Sequence, residues 1–180
     1  MSWIIPKDEC TLSEMKAFRE RAMAAGIARC AMKLGQKADE LTVLQMQQVP
    51  ETGAALEQWN TAVLNALGGA FSVFQAGGAG APVLANNRLL VFYGIAIETF
   101  PCPVSRLTIR AGGIAGNVLA DFDLEQIVNS DTMEGYFDQP VCIDPTQTFA
   151  VQVSCRIITN AIARIQLKNW LIMPAGQRTA

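Results

Sequence analysis

Three carboxylates alternate in the segment NVLADFDLEQI at residues 117–127: Asp121, Asp123 and Glu125. On a strand, alternate residues share a face, and neighbours two apart lie about 6.5–7 Å from one another. That spacing suits a general acid/base pair or a Ca²⁺ site. It is also what the wetted face of an ordinary strand looks like, with Phe122 and Leu124 turned the other way, and this simpler account carries more weight. The chain has no histidine, which removes the common catalytic triads and histidine-based metal sites. Its five cysteines, Cys10, Cys30, Cys102, Cys142 and Cys155, are odd in number and form no CxxC pair. They read as reduced, small, buried hydrophobes rather than nucleophiles.

The remaining chemical signals are weaker. GGAFSVFQAGGAGAP lacks the lysine-containing ending of a phosphate loop, and AGGIAG lacks the glycine order of a dinucleotide fingerprint. Both are expected to be turns and close-packed backbone. Among the aromatics Trp59, Phe92, Tyr93, Tyr136 and Trp170, the pair Tyr136 and Trp170 is the one to watch for a sugar-binding groove, although aromatics at strand spacing more often fill a core. No catalytic, cofactor-binding or metal-ligating residue is assigned, and the chain is read as a non-enzyme.

The elements around these residues change character near residue 70. In the first third, TLSE at 11–14 forms a capping box, with Thr11 as N-cap and Glu14 three residues on. Leu12, Met15, Phe18, Ala22 and Ala25 follow at helical spacing, and the helix ends at Gly26 or at Gly35. Residues 40–49 lean towards a strand. GAALEQWNTAVLNAL at 53–67 predicts a helix with Leu56, Trp59, Val63 and Leu67 on one side, stopped by Gly68-Gly69.

From Ala70 the period becomes two. RLLVFYGIAIE at 88–98 is apolar on both faces, so it is a strand buried on both sides or at an interface. Leu107 and Ile109 oppose Arg106, Thr108 and Arg110. Phe149, Val151, Val153, Cys155 and Ile157 oppose Thr148, Gln152, Ser154 and Arg156. Ala163, Ile165, Leu167 and Leu171 oppose Arg164, Gln166 and Lys168. Between the strands at FDQPVCI and FAVQVSCRI, Asp144-Pro145 reads as a turn with proline at its second position. Antiparallel strands with one core face and turn signals every 8–15 residues predict a mainly β chain, an antiparallel β-sandwich of jelly-roll type. The predicted division is an N-terminal helical arm or segment at 1–69 and the sandwich at 70–180.

Composition narrows the function classes. Of 180 residues, 51% are hydrophobic and 17% charged, against roughly 25% charged in average domains. A chain with so little charge has apolar surface to hide, and a subunit interface is the expected place. A formal net charge of −2 and no lysine/arginine stripe argue against nucleic-acid binding. The start, MSWIIPKDEC, lacks the apolar stretch of a signal peptide. The uncharged run from Gln58 to Asn87 is too polar and too broken for a membrane span.

The segments NRLLVFYGIAIE, SRLTIRAGG, NVLADFDLEQI, EGYFDQPVCIDPTQTFAVQV and ARIQLKNWLIMPAG carry a resemblance. A G-Y-F-x-x-P-V approach to a core strand, an I-D-P-x-Q-x-F turn and a long closing strand ending in an apolar-Pro-Gly tail make residues 86–176 similar to the β-sandwich structural proteins of bacteriophage and tailless-virus particles. These are capsid, decoration or minor virion subunits. Because such proteins act through surfaces, the resemblance carries over no functional residue. It implies a virion subunit made in the host cytoplasm that associates with itself and with other virion proteins. The interface residues expected on the residues' own merits are Leu12, Met15 and Phe18 on the arm, and Phe71 and Phe74 in the glycine-rich segment. The alternative is a binding module, a receptor- or glycan-binding trimer using exposed Tyr136 or Trp170.

Overall fold

A computed structural model describes residues 2–45, 60–72, 84, 86–159 and 162–176; the side chains of residues 60–63 and 162 are outside that description. The chain is mainly β, with two antiparallel sheets and a long helix near the N-terminus. The strands are β1 (Ile4–Pro6), β2 (Leu41–Leu44), β3 (Asn60–Val63), β4 (Ala70–Ser72), β5 (Leu89–Ile97), β6 (Val104–Ala111), β7 (Asn117–Asp123), β8 (Glu134–Ile143), β9 (Phe149–Cys155) and β10 (Ile162–Pro174). The helices are α1 (Leu12–Leu34) and the single turn α2 (Glu125–Val128). One sheet has six strands in the order β1-β8-β5-β10-β2, with β3 also paired to β10; the other has four in the order β4-β9-β6-β7.

Pairing is nested. β6 pairs with β7, β5 with β8, β4 with β9 and β3 with β10, all antiparallel. The contacts of β5 with β10 and of β6 with β9 join these pairs side by side into two sheets, and β1 on β8 and β2 on β10 extend the larger one. Alternation in sequence becomes alternation in burial. Leu107 and Ile109 of β6, Phe122 of β7, Phe149, Val151 and Val153 of β9, and Ala163, Ile165, Leu167 and Leu171 of β10 all enter one core between the sheets. Phe122 stacks on Phe137 with ring centroids 4.0 Å apart.

β5 has no solvent face. All nine of its residues are buried: Leu90, Phe92, Ile95 and Ile97 belong to the core between the sheets, while Leu89, Val91 and Tyr93 pack under α1 on the outside. The helix begins with the expected capping box. The Thr11 side chain accepts from the Glu14 N–H, and Glu14 accepts from the Thr11 N–H at 2.8 Å. Gly26 does not stop it; Gly35 does, in the left-handed conformation at φ 65°. Gly26 lies buried in mid-helix beside Ala22 and Cys30, four residues away on each side. This stripe of small side chains lets the backbone approach the sheet closely.

Three expectations need correction. Asn60–Val63, placed at the end of a helix by the 53–67 pattern, is strand β3 paired to β10; residues 51–59 lie outside the described part. A division at residue 69/70 does not follow the sheets, because β1, β2 and β3 all precede it and all belong to the six-stranded sheet. Between an arm and a cover, α1 is a cover, seated on β5, β8 and β10. No helix among the described residues is long and apolar enough to cross a membrane.

The seat of α1 is testable at Gly26. A Cβ there would lie 2.4 Å from Ile172 Cδ1 and 2.6 Å from Val91 Cγ2. The substitution Gly26→Val is expected to cost on the order of 1–3 kcal/mol through overpacking, measured as a lower midpoint in urea unfolding.

Candidate functional surfaces

The alternating carboxylates do not form a cluster. β7 ends at Asp123, and Glu125 opens α2, so the three side chains do not share a strand face. Asp121 is taken by Arg106, which donates from Nε at 2.7 Å and from Nη2, and by the Thr108 hydroxyl at 3.0 Å. The Arg106 guanidinium holds the Asp121 carboxyl below its ordinary range. The Asp123 side chain accepts from the Glu125 N–H at 3.0 Å, tying the strand end to the helix turn. Asp121 and Asp123 are thus committed to local structure, while Glu125 contributes its N–H and leaves its side chain exposed. Among the described residues no group of three or more histidine, cysteine, aspartate or glutamate side chains is placed to hold a metal ion.

The cysteines follow the same logic. Cys30, Cys102 and Cys155 are buried, Cys10 and Cys142 half-buried, and all five are free thiols. Burial pushes the thiols of Cys10, Cys30, Cys102 and Cys142 up, away from the thiolate that a nucleophile needs.

Tyr136 and Trp170 lie beneath α1 rather than in an open groove. Tyr136 is 5% exposed and stacks on Phe18, with centroids 5.5 Å apart and planes 8° apart. Trp170 stacks on Tyr93 at 5.6 Å. It donates its indole N–H to the Arg19 carbonyl at 3.2 Å, and the Arg19 guanidinium lies over its ring. Their ring faces, and the indole N–H of Trp170, hold the helix to the sheet.

The five expected interface residues separate. Leu12 is 83% exposed at the start of α1. Met15 and Phe18 are half-buried in the packing between α1 and the sheet. Phe71, on β4 opposite Val153 of β9, packs against the inner core. Phe74 lies outside the described residues. Of the four that are described, Leu12 alone presents most of its side chain to solvent.

A polar hub fastens the far side of α1. Arg29 grips Asp144 with two hydrogen bonds, at 2.6 and 2.9 Å, and Lys33 Nζ approaches the same carboxylate at 3.3 Å. Asp144 begins the β8–β9 turn. Its N–H donates to the Gln147 side chain at 2.9 Å, and the Gln147 N–H returns to the Asp144 carbonyl at 3.1 Å. The expected Asp144-Pro145 turn therefore also carries the helix clamp, a role with no local sequence signal. At the other end of the helix layer, Glu134 lies between Lys168 at 3.0 Å and Lys7 at 3.2 Å.

Comparison of the chain with protein-family models, curated proteins and solved structures finds no significant match.

Two outcomes are expected. Phe18→Asp sets a carboxylate against the Tyr136 ring, so it is expected to destabilise the fold itself by about 1–3 kcal/mol, as burying an unsatisfied polar group does. Denaturant unfolding of the monomeric fraction reads this, and an unchanged midpoint would contradict the seating of the helix. In acid, Arg29 and Arg106 hold Asp144 and Asp121 below the usual carboxylate range. Their stabilisation is complete above the unfolded value of about pH 4 and is lost as pH falls through the lower folded values. The stability–pH curve should drop below about pH 4, and Asp144→Asn should flatten part of that drop.

Proposed function

We propose that this chain is a virion structural protein, a capsid or capsid-associated subunit that works by packing against copies of itself and against other virion proteins. The observation that carries this reading is the nested order of the strands. Successive pairs β3–β10, β4–β9, β5–β8 and β6–β7 describe one long hairpin folded over, with β3, β10, β5 and β8 in one sheet and β4, β9, β6 and β7 in the other. We read these eight strands as a jelly roll, an architecture of viral capsid and lectin domains.

Fold alone hosts many functions, so the choice between them rests on surfaces. The two aromatics expected to serve a lectin-like role, Tyr136 and Trp170, are spent under α1. Assembly needs apolar side chains left in water, and these are present: Leu12, Met32, Leu67, Phe100, Ile114 and Ile158 are each more than half exposed. The 17% charged composition leaves little polar surface to oppose association. Synthesis in a host cytoplasm, with the five thiols reduced, and residence in the particle complete the proposal.

The test is absolute mass by light scattering over a hundredfold range of concentration, with electron micrographs of the same samples. A mass that climbs with concentration, with shells, tubes or sheets in the images, is the expected result. A monomer or a closed trimer at every concentration would remove the self-assembly reading.

A further inference from the structure

The antiparallel order of the six-stranded sheet brings four connections to one end of the molecule: β3–β4, β9–β10, β5–β6 and β7–β8. The first three are laced together by backbone hydrogen bonds. Gly68 N–H donates to the Cys155 carbonyl at 2.8 Å, Thr159 N–H to Leu64 at 2.9 Å, and Arg156 N–H to Pro103 at 2.7 Å. Yet this well-tied end holds four large apolar side chains outward. Phe100 is 84% exposed, Leu67 67%, Ile158 51% and Ile157 36%. One of them comes from β3–β4, one from β5–β6 and two from β9–β10, so the patch belongs to the assembled end and to no single loop.

The charge on this end is lopsided. Arg156 projects from the β9–β10 connection. The β7–β8 connection, at the opposite edge beyond β5–β6, carries Glu125 and Asp131, with no lysine or arginine from 124 to 133. Arg156, Glu125 and Asp131 are exposed, and none of them takes part in an ion pair among the described residues.

Resting on the self-assembly reading above, we propose that this loop end is the surface on which two copies of the chain meet, related by a two-fold axis. The Arg156 flank of each copy lies against the Glu125/Asp131 flank of the other, with Phe100, Leu67, Ile157 and Ile158 buried between them. An apolar patch at the centre with polar groups at its margin is the anatomy of a protein interface. A two-fold contact repeats the same patch on both subunits, so the basic flank of each copy meets the acidic flank of the other and the charge pairing is made twice. Four side chains are too few for a stable dimer, which needs about 800 Å² per partner, so association is expected to be weak pairwise and to depend on concentration.

The test compares light-scattering mass curves of the full chain with those of two sets of variants. In the first, Phe100→Asp and Ile158→Asp are combined; both side chains are mostly in water, so thermal unfolding should be unchanged while the concentration at which mass doubles rises at least tenfold. In the second, Arg156→Glu should raise that concentration at low salt, and adding Glu125→Arg with Asp131→Arg in the same chain should restore it. If the parent chain assembles and the Phe100/Ile158 variant assembles equally well, the loop end is not the contact, although the self-assembly reading survives. Failure of the reversed-charge chain to recover would overturn the pairing of the two flanks. A parent chain that stays monomeric throughout would remove the reading itself, and this surface with it.

Discussion

A nine-residue strand that is apolar on both faces needs two covers, and β5 sets this requirement for the whole molecule. Its inner face is met by the four-stranded sheet, through Phe149, Val151 and Val153 of β9 and Leu107 and Ile109 of β6. Its outer face, Leu89, Val91 and Tyr93, is met by α1. At roughly 1.5–3 kcal/mol for each large apolar side chain taken out of water, leaving either face bare would cost several kcal/mol. That is a large share of a typical domain's stability. The layer order, helix on sheet on sheet, follows from this one strand.

The second cover has to be fitted closely, and the helix is built for that. A stripe of Ala22, Gly26 and Cys30 brings its backbone down onto Val91 and Ile172. Larger side chains flank the stripe: Phe18 on Tyr136 and Arg19 over Trp170. Polar groups then fix the helix along its length. The capping box sets its start, and the Arg29–Asp144–Lys33 hub anchors its last turns to the β8–β9 connection. The aromatics that look available for binding in the sequence, Tyr136 and Trp170, are consumed by this layer.

What remains for function lies at the margins of the sandwich. Nested hairpins divide their connections between the two ends, and at the β3–β4, β9–β10, β5–β6 and β7–β8 end the backbone is held by its own hydrogen bonds while apolar side chains stay in water. Rigid backbone under exposed apolar groups loses little conformational freedom on association, which favours contact between preformed surfaces. The same chain therefore combines a closely packed apolar interior with an outward-facing apolar tip.

Local chemistry alone determined much of this protein. The Thr11/Glu14 capping box, the strands β5, β6, β9 and β10, the Asp144-Pro145 turn and the burial of thiols could all be read from the sequence, because each depends on residues within a few positions of one another. Tertiary structure decided the rest, because the deciding partners are far apart in the chain. The helical spacing of Val63 and Leu67 lost to the pairing of Asn60–Val63 with β10, about a hundred residues on. The alternation at Asp121, Asp123 and Glu125 broke when Leu124 turned back to donate its N–H to Ser105 and α2 began. Tyr136 and Trp170 became packing groups only when α1, more than a hundred residues earlier, folded over them. An amphipathic helix records in its sequence that it must cover something, but which aromatics it covers is fixed only when the sheet brings them together.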